Sequence, residues 1–225
     1  MAETYPQRSF AVPPDATEVI LVRHGASAAA VPGEPFEELE GQSDPPLAPE
    51  GQLQAQAVAG RLAGSGEQID GLFVSTLQRT AQTAAPLAAL TGLEPVVVPE
   101  LREVGLGEWE GGELRIRAAN RDPLFYEVIE AERWDAIPGA EPAEEFAARV
   151  RAGLGKGNES VGPGAVAVAV VHGGVIGELA CQATSSRPFA FVHADNCSIT
   201  RLVVFADGRQ LLRSFNDVSH LASSP

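Results

Sequence analysis

Cysteine is scarce: Cys181 and Cys197 are the only two, each in an apolar neighbourhood. That excludes a disulfide framework and suits a reducing compartment, with both thiols expected to be buried. Basic residues are also outnumbered, 16 Lys and Arg against 30 Asp and Glu, for a formal net charge of -14. Such a far field repels polyanions and argues against nucleic-acid and anionic-membrane partners. An anionic small molecule would then need a local cluster of cations, since screening confines the distant charges. No run approaches the ~20 apolar residues that span a bilayer. The N-terminus, Met1 to Asp15, lacks a basic region followed by an apolar one, so the expected location is cytoplasmic. No Cys/His/Asp cluster has metal-ligand spacing, and no metal or cofactor is expected.

What is present fits an ordinary globular chain of 225 residues, 44% hydrophobic and 20% charged. Residues 1–16 are polar and carry Pro6, Pro13 and Pro14, so they read as a tail, with a single domain over 17–225. Glu18 to Arg23 is a short β-branched run expected to be a buried strand that stops at His24-Gly25. Pro49 to Ala63 has helical spacing, with Leu53, Ala57 and Leu62 near one face and Pro49 suited to the first turn. A strand over Gly71 to Ser75, a helix over Leu77 to Thr91 and a strand over Pro95 to Val98 follow. That alternation predicts an α/β fold, a three-layer αβα sandwich with a mostly parallel central sheet. Residues 104–142 break the rhythm with glycines and short helical stretches around Arg115 and Phe125, as a small lid-like insertion. A helix over Pro142 to Lys156, a strand over Ala165 to Val171, a helix over Val175 to Gln182 and a hairpin around Asp207-Gly208 complete the pattern.

Of four histidines, His24 and His172 both stand where an apolar strand gives way to glycine, in Leu21-Val22-Arg23-His24-Gly25 and Val170-Val171-His172-Gly173-Gly174. Ligands bind outside the carboxyl ends of parallel strands, which places both imidazoles at one edge. The competing reading of each is a histidine that ends a strand and bonds a loop. Glycines let backbone approach a ligand closely, and a helix starting after His172 would point free N–H groups at an anion. Arg23 adjoins His24, and Arg79 lies where a strand ends and a helix begins. Guanidinium forks match phosphate oxygens bidentately, which would supply the local positive field. An exposed helix arginine is the alternative for Arg79.

These strings resemble the histidine phosphatase superfamily, also called the phosphoglycerate mutase-like family, whose hallmark is Arg-His-Gly at the end of the first strand. Further landmarks follow in order: Gly41-Gln42-Ser43-Asp44-Pro45-Pro46-Leu47 with Gly51 and Ala55, Ser75 to Ala84, Leu101-Arg102-Glu103 with Trp109-Glu110-Gly111, His172-Gly173-Gly174 and Asn196-Cys197-Ser198. The resemblance implies a metal-independent phosphomonoester hydrolase in which His24 forms a phosphohistidine. Arg23, Arg79 and His172 would hold the non-bridging oxygens. Glu103 would be the acid and then the base, with Glu100, Glu108 and Glu110 as nearby rivals. Ser27, Gln42, Ser43 and Gly173 would contribute to phosphate or substrate binding. The expected partner is a small phosphorylated substrate, and association into a homodimer is left open.

The chain departs from the family pattern at several points. Ala26, Ser27 and Ala30 stand where Glu, Ser or Thr, and Asn are common after Arg-His-Gly. Ala48 and Pro142 stand at helix starts where a capping hydroxyl is usual, each loss costing about 1 kcal/mol. Gly177 replaces a frequent arginine, which bears on the substrate rim. Two other functions compete: a cofactor-dependent phosphoglycerate mutase, for which Arg115, Arg117, Arg121 and Arg133 offer no obvious arginine pair, and a non-catalytic phosphate-binding protein, whose signature would be loss of a catalytic residue.

Overall fold

The computed structural model describes residues 3–221. Its elements are β1 (Ala16–Arg23), β2 (Glu38–Leu39), β3 (Gln42–Ser43), α1 (Pro49–Ala63), β4 (Gly71–Val74), α2 (Gln78–Thr91), β5 (Val96–Val97), α3 (Glu113–Ala119), α4 (Pro123–Ala131), α5 (Ala143–Val161), β6 (Val166–Val171), α6 (Gly173–Thr184), β7 (Ile199–Phe205) and β8 (Gln210–Asp217). The main sheet has the order β5-β4-β6-β1-β7-β8. β1, β4, β5 and β6 pair in parallel, while β7 runs antiparallel to both β1 and β8. The expected α/β sandwich with a mostly parallel sheet is the observed architecture.

Two-residue alternation along the central strands fills both faces. Val19 and Leu21 of β1, Phe73 of β4 and Ala167, Ala169 and Val171 of β6 enter one core with α5 and α6 residues such as Val150 and Leu179. Ile20, Val22, Leu72, Val74, Val168 and Val170 enter the other, against Val58 and Leu62 of α1 and Ala84 and Leu87 of α2. Ile20 and Leu21 are fully buried, worth about 1.5–3 kcal/mol each. The lid-like insertion carries a small core of its own, Trp109, Val128 and Ile137.

Four sequence readings need correction. Ala16 is not tail: it is 1% exposed and pairs with Phe205 on β7. Leu53 is 66% exposed, and the inward face of α1 is Gly51, Ala55, Val58, Ala59 and Leu62, because α1 has neighbours along its flank as well as beneath it. α5 runs past Lys156 to Val161, since its glycines fit close contacts: a Cβ on Gly153 would lie 2.9 Å from Glu100 Cβ, and one on Gly157 would rest against the Phe73 ring. The segment between His24 and Pro46, which the sequence pattern reads as a loop rich in Ala, Pro and Gly, contains the β2–β3 hairpin. The hydroxyl caps missing at Ala48 and Pro142 are not replaced by other side-chain caps there.

Candidate active site

Three adjacent parallel strands, β4, β6 and β1, end side by side and deliver Ser75, His172 and His24 to one edge. The backbone locks this alignment, with His24 N donating to Val171 O at 2.9 Å. The turn after His24 is held through its main chain. Gly25 N donates to Thr83 Oγ1 at 3.0 Å and Ala26 N to Gln54 Oε1 at 2.9 Å. Ala28 N donates to Pro46 O, and Ala48 N to Ala26 O. Two glycines make room for α1 here: a Cβ on Gly25 would lie 2.5 Å from Gly51 O, and one on Gly51 would lie 2.0 Å from Ala26 O. From the other side, Asn196 Nδ2 donates to His24 O at 2.9 Å and Cys197 N to Arg23 O at 2.9 Å.

His24 is 5% exposed, and its Nδ1 lies 2.8 Å from Gly25 O. A carbonyl only accepts, so Nδ1 carries the proton and Nε2 presents its lone pair. Arg79 Nε donates to that Nε2 at 3.3 Å. Burial, then Arg79 and Arg23, push His24 well below the usual histidine range, so the imidazole is neutral near pH 7. His172 is fully buried and held down by the same causes, burial first and Arg79 next. The two rings meet edge to face at 5.2 Å.

The cations come from three elements. Arg23 ends β1 and donates from one terminal nitrogen to Ala194 O, while its Nε is buried without a protein partner. Arg79, in the first turn of α2, donates to Ser43 O at 2.8 Å. Asp44 lies 3.9 Å from Arg79 but accepts from Gln78 N at 2.8 Å, so it caps α2. Desolvation lowers both guanidinium pKa values, opposed in each case by Glu103. The third cation is Arg115 of α3, which donates to Ala28 O and Ser27 Oγ at 2.8 Å each and is lowered by desolvation and by Arg23. The sequence singled out Arg115 only as one of several lid arginines. It makes no salt bridge among the described residues.

A cavity of about 140 Å³ is walled by Arg23, His24, Arg79, Glu103 and Arg115 and by Trp109 among the apolar residues, while His172 lies behind His24 and does not line it. Of the four candidate carboxylates, Glu103 is the one with both a place on this wall and free capacity. Its oxygens accept single bonds from Val104 N at 3.0 Å and Gly174 N at 3.1 Å. Glu110 also lines the cavity but accepts from Ser43 N, Ser43 Oγ and Leu106 N. Glu100 pairs with Lys156, and Glu108 is exposed.

The remaining predicted residues divide. Gln42 and Ser43 line the cavity, with Gln42 Nε2 donating to Glu103 O at 2.6 Å. Ser27 does not line it and reaches it only through Arg115, because its backbone bridges to Leu47 and turns it aside. Gly173 lies behind Arg23, where a Cβ would sit 3.4 Å from Arg23 Nε. A larger cavity of about 530 Å³ lies beyond Val104 and Gly174, between Trp134, Phe146 and Phe189, and includes neither histidine. Gly177 lines it, and a side chain there would strike Phe191 O at 2.9 Å, which fits the absence of an arginine at this position.

Paired histidines stand at the ends of parallel strands, with arginines beside them and a carboxylate on the same cavity wall as His24. The chain belongs to the histidine phosphatase superfamily, branch 1, whose family model matches residues 19–218. Among curated proteins it is 32% identical to a probable phosphoglycerate mutase, GpmB, of Yersinia enterocolitica, over 82% of this chain and 84% of that one. Among solved structures it is similar to a mycobacterial glucosyl-3-phosphoglycerate phosphatase, 27% identical with a TM-score of 0.68, covering 89% of this chain and 99% of that one. It shares its fold with a phosphoglycerate mutase from Bacillus anthracis, at 23% identity and a TM-score of 0.73, covering 93% and 96%. No helix among the described residues is long and apolar enough to cross a membrane.

Proposed function

We propose that the protein is a phosphomonoester hydrolase that works through a phosphohistidine on His24. The observation that carries this reading is the Nε2 lone pair of His24, fixed by the Gly25 carbonyl behind it and directed among Arg23, Arg79 and Arg115 with Glu103 on the same cavity wall. A neutral, buried imidazole is a competent nucleophile without a base to activate it. Nε2 attacks phosphorus in line while the bond to the ester oxygen breaks, and Glu103 in its acid form gives that oxygen its proton. The alcohol leaves and water takes its place. Glu103, now a carboxylate, accepts a proton from the water as its oxygen attacks phosphorus and the N–P bond breaks. Inorganic phosphate forms and His24 returns to its starting state.

Arg23, Arg79 and His172 stabilise charge on the equatorial oxygens, the main source of acceleration in phosphoryl transfer. Arg115 extends the cationic wall from the lid. A small phosphorylated molecule is the partner this cavity suits, and the positive lining answers the repulsion expected of a chain carrying -14 overall.

The mutase reading draws on the GpmB relatives, and the phosphatase reading on the sugar-phosphoglycerate phosphatase structure. One pair of assays separates them. Phosphate release from a panel of phosphomonoesters supports hydrolysis, whereas isomerisation of 3-phosphoglycerate that needs 2,3-bisphosphoglycerate and releases no phosphate overturns it. Labelling by a phosphate donor should be acid-labile and base-stable and should vanish in His24→Ala. Full hydrolytic activity in folded His24→Ala refutes the mechanism.

A further inference from the structure

We infer that Ser75 is a positioning residue whose hydroxyl sets the tautomer of His172, so that His172 offers a proton from Nδ1. The inference rests on the proposed phosphoryl chemistry for its purpose but on hydrogen-bond geometry for its content.

His172 has two ring nitrogens and one protein partner for them. Nε2 lies 2.8 Å from Ser75 Oγ, and Nδ1 is buried with no protein partner. Whatever His172 gives a bound ligand by hydrogen bonding it therefore gives through Nδ1. That gift is a proton only when Nε2 is bare, because a neutral imidazole carries one N–H.

The surroundings of Ser75 decide which way its hydroxyl points. Leu77 N donates to Ser75 Oγ at 3.2 Å, which uses one of its lone pairs. The Thr80 hydroxyl has its shortest contact, 2.8 Å, with Leu77 O, and lies 3.1 Å from Ser75 Oγ. With the Thr80 proton directed to a backbone carbonyl, the Ser75 proton has two acceptors, His172 Nε2 at 2.8 Å and Thr80 Oγ1 at 3.1 Å. A contact of 2.8 Å fits donation in either direction, so the choice falls to Nδ1: phosphate oxygens only accept, and Ser75 as donor leaves Nε2 bare and Nδ1 protonated to meet them. The opposite tautomer would leave at Nδ1 a bare lone pair that has no protein donor and that phosphate oxygens cannot satisfy. The corner is built for this contact. Ser75 follows β4 directly and His172 follows β6 directly, and these strands pair in parallel.

The test reads the tautomer apart from the reaction. In protein labelled with ¹⁵N-histidine and saturated with inorganic phosphate, protonated and bare ring nitrogens have distinct shifts, and His172→Asn identifies the His172 signals. The wild type should carry its proton on Nδ1, and Ser75→Ala should move the population toward Nε2–H. Ser75→Ala should also lower kcat/KM for a phosphomonoester by about 10–100-fold, taking as a guide the scale found for partners that fix the tautomer of metal-bound histidines. It should add little to the loss in His172→Asn, because both changes remove one function.

Thr80→Val controls for damage to this corner and should keep Nδ1–H. A wild-type Nε2–H tautomer, an unchanged tautomer in Ser75→Ala, or an equal shift in Thr80→Val overturns the inference. Absence of a phosphohistidine on wild-type His24 overturns the proposed reaction instead, and leaves the tautomer measurement standing.

Discussion

Gly174 offers a way to move the candidate acid without touching it. A Cβ built there would lie 2.4 Å from Glu103 Oε1 and 3.3 Å from its Cδ, so Gly174→Ala must displace the carboxylate. Reaching an ordinary separation of 3.4 Å from the present 2.4 Å requires a shift of about 1 Å. The obstacle is the far end of a flexible side chain rather than backbone, so the fold absorbs the change. Gly174 lies in the first turn of α6, and alanine favours helix over glycine by roughly 0.5–1 kcal/mol, which offsets the loss of the Gly174 N–H bond to Glu103.

Stability is therefore expected to stay within about 1 kcal/mol of wild type, while a misplacement near 1 Å costs on the order of 10²-fold in rate, or about 2.7 kcal/mol in the barrier. Paired thermal unfolding and turnover measurements check this. An alkyl phosphate should suffer more than p-nitrophenyl phosphate in the first chemical step, because nitrophenolate departs without a proton, and rapid-mixing release of the leaving group isolates that step. Wild-type turnover of an alkyl phosphate by folded Gly174→Ala would refute the role given to Glu103.

Two further outcomes concern the buried imidazoles and Arg115. His24 and His172 are lowered in the fold, so as pH falls through the unfolded value near 6.5 the unfolded chain gains protons that the native chain refuses. Stability then falls on acidification: a histidine that stays neutral in the fold from pH 7.5 to 5.5 accounts for about 1.4 kcal/mol, and two for about 2.7 kcal/mol. Urea titrations across that window should show the loss, and His172→Asn should remove about half of it; an unchanged slope contradicts the assignment. Arg115→Met removes a cation from the cavity wall, and loss of one charge-assisted bond of about 1.5–3 kcal/mol should lower kcat/KM about 10–100-fold. Unchanged kinetics would exclude Arg115 from substrate binding.

The sequence was most legible where backbone pattern and chemistry coincide. Val19-Ile20-Leu21-Val22 and Val166 to Val171 fill both cores, and the runs give way to Arg23-His24 and to His172, so the strand ends and the candidate residues were read together. The bounds of α1 were readable from Pro49 and Gly64, yet its face was not, because Leu53 obeys helical spacing while lying beyond the neighbouring elements. Local pattern also hides contacts made across long sequence distances. Arg115 meets Ser27 and Ala28 nearly ninety residues away, with |i−j| of 88 and 87, and nothing near it in the chain signals that meeting. Helix α5 read as ending at Lys156, before Gly157, whose partner Phe73 belongs to another segment. Glu103 was separable from Glu110 by motif spacing, but the physical distinction is that Glu110 is occupied by Ser43 and Leu106.

The turn after His24 is suspended by its main chain, through Thr83, Gln54, Pro46 and Ala48, and by the facing glycines 25 and 51. Its path consequently owes little to the identity of the side chains it bears. Positions 26, 27 and 30 are free to drift to alanine or serine without moving the imidazole, whereas glycines 25 and 51 have no such latitude. For the placement of the imidazole, mutational tolerance should therefore run opposite to apparent chemical interest, with two featureless glycines, one on the turn and one on α1, immovable and the side chains at 26, 27 and 30 replaceable.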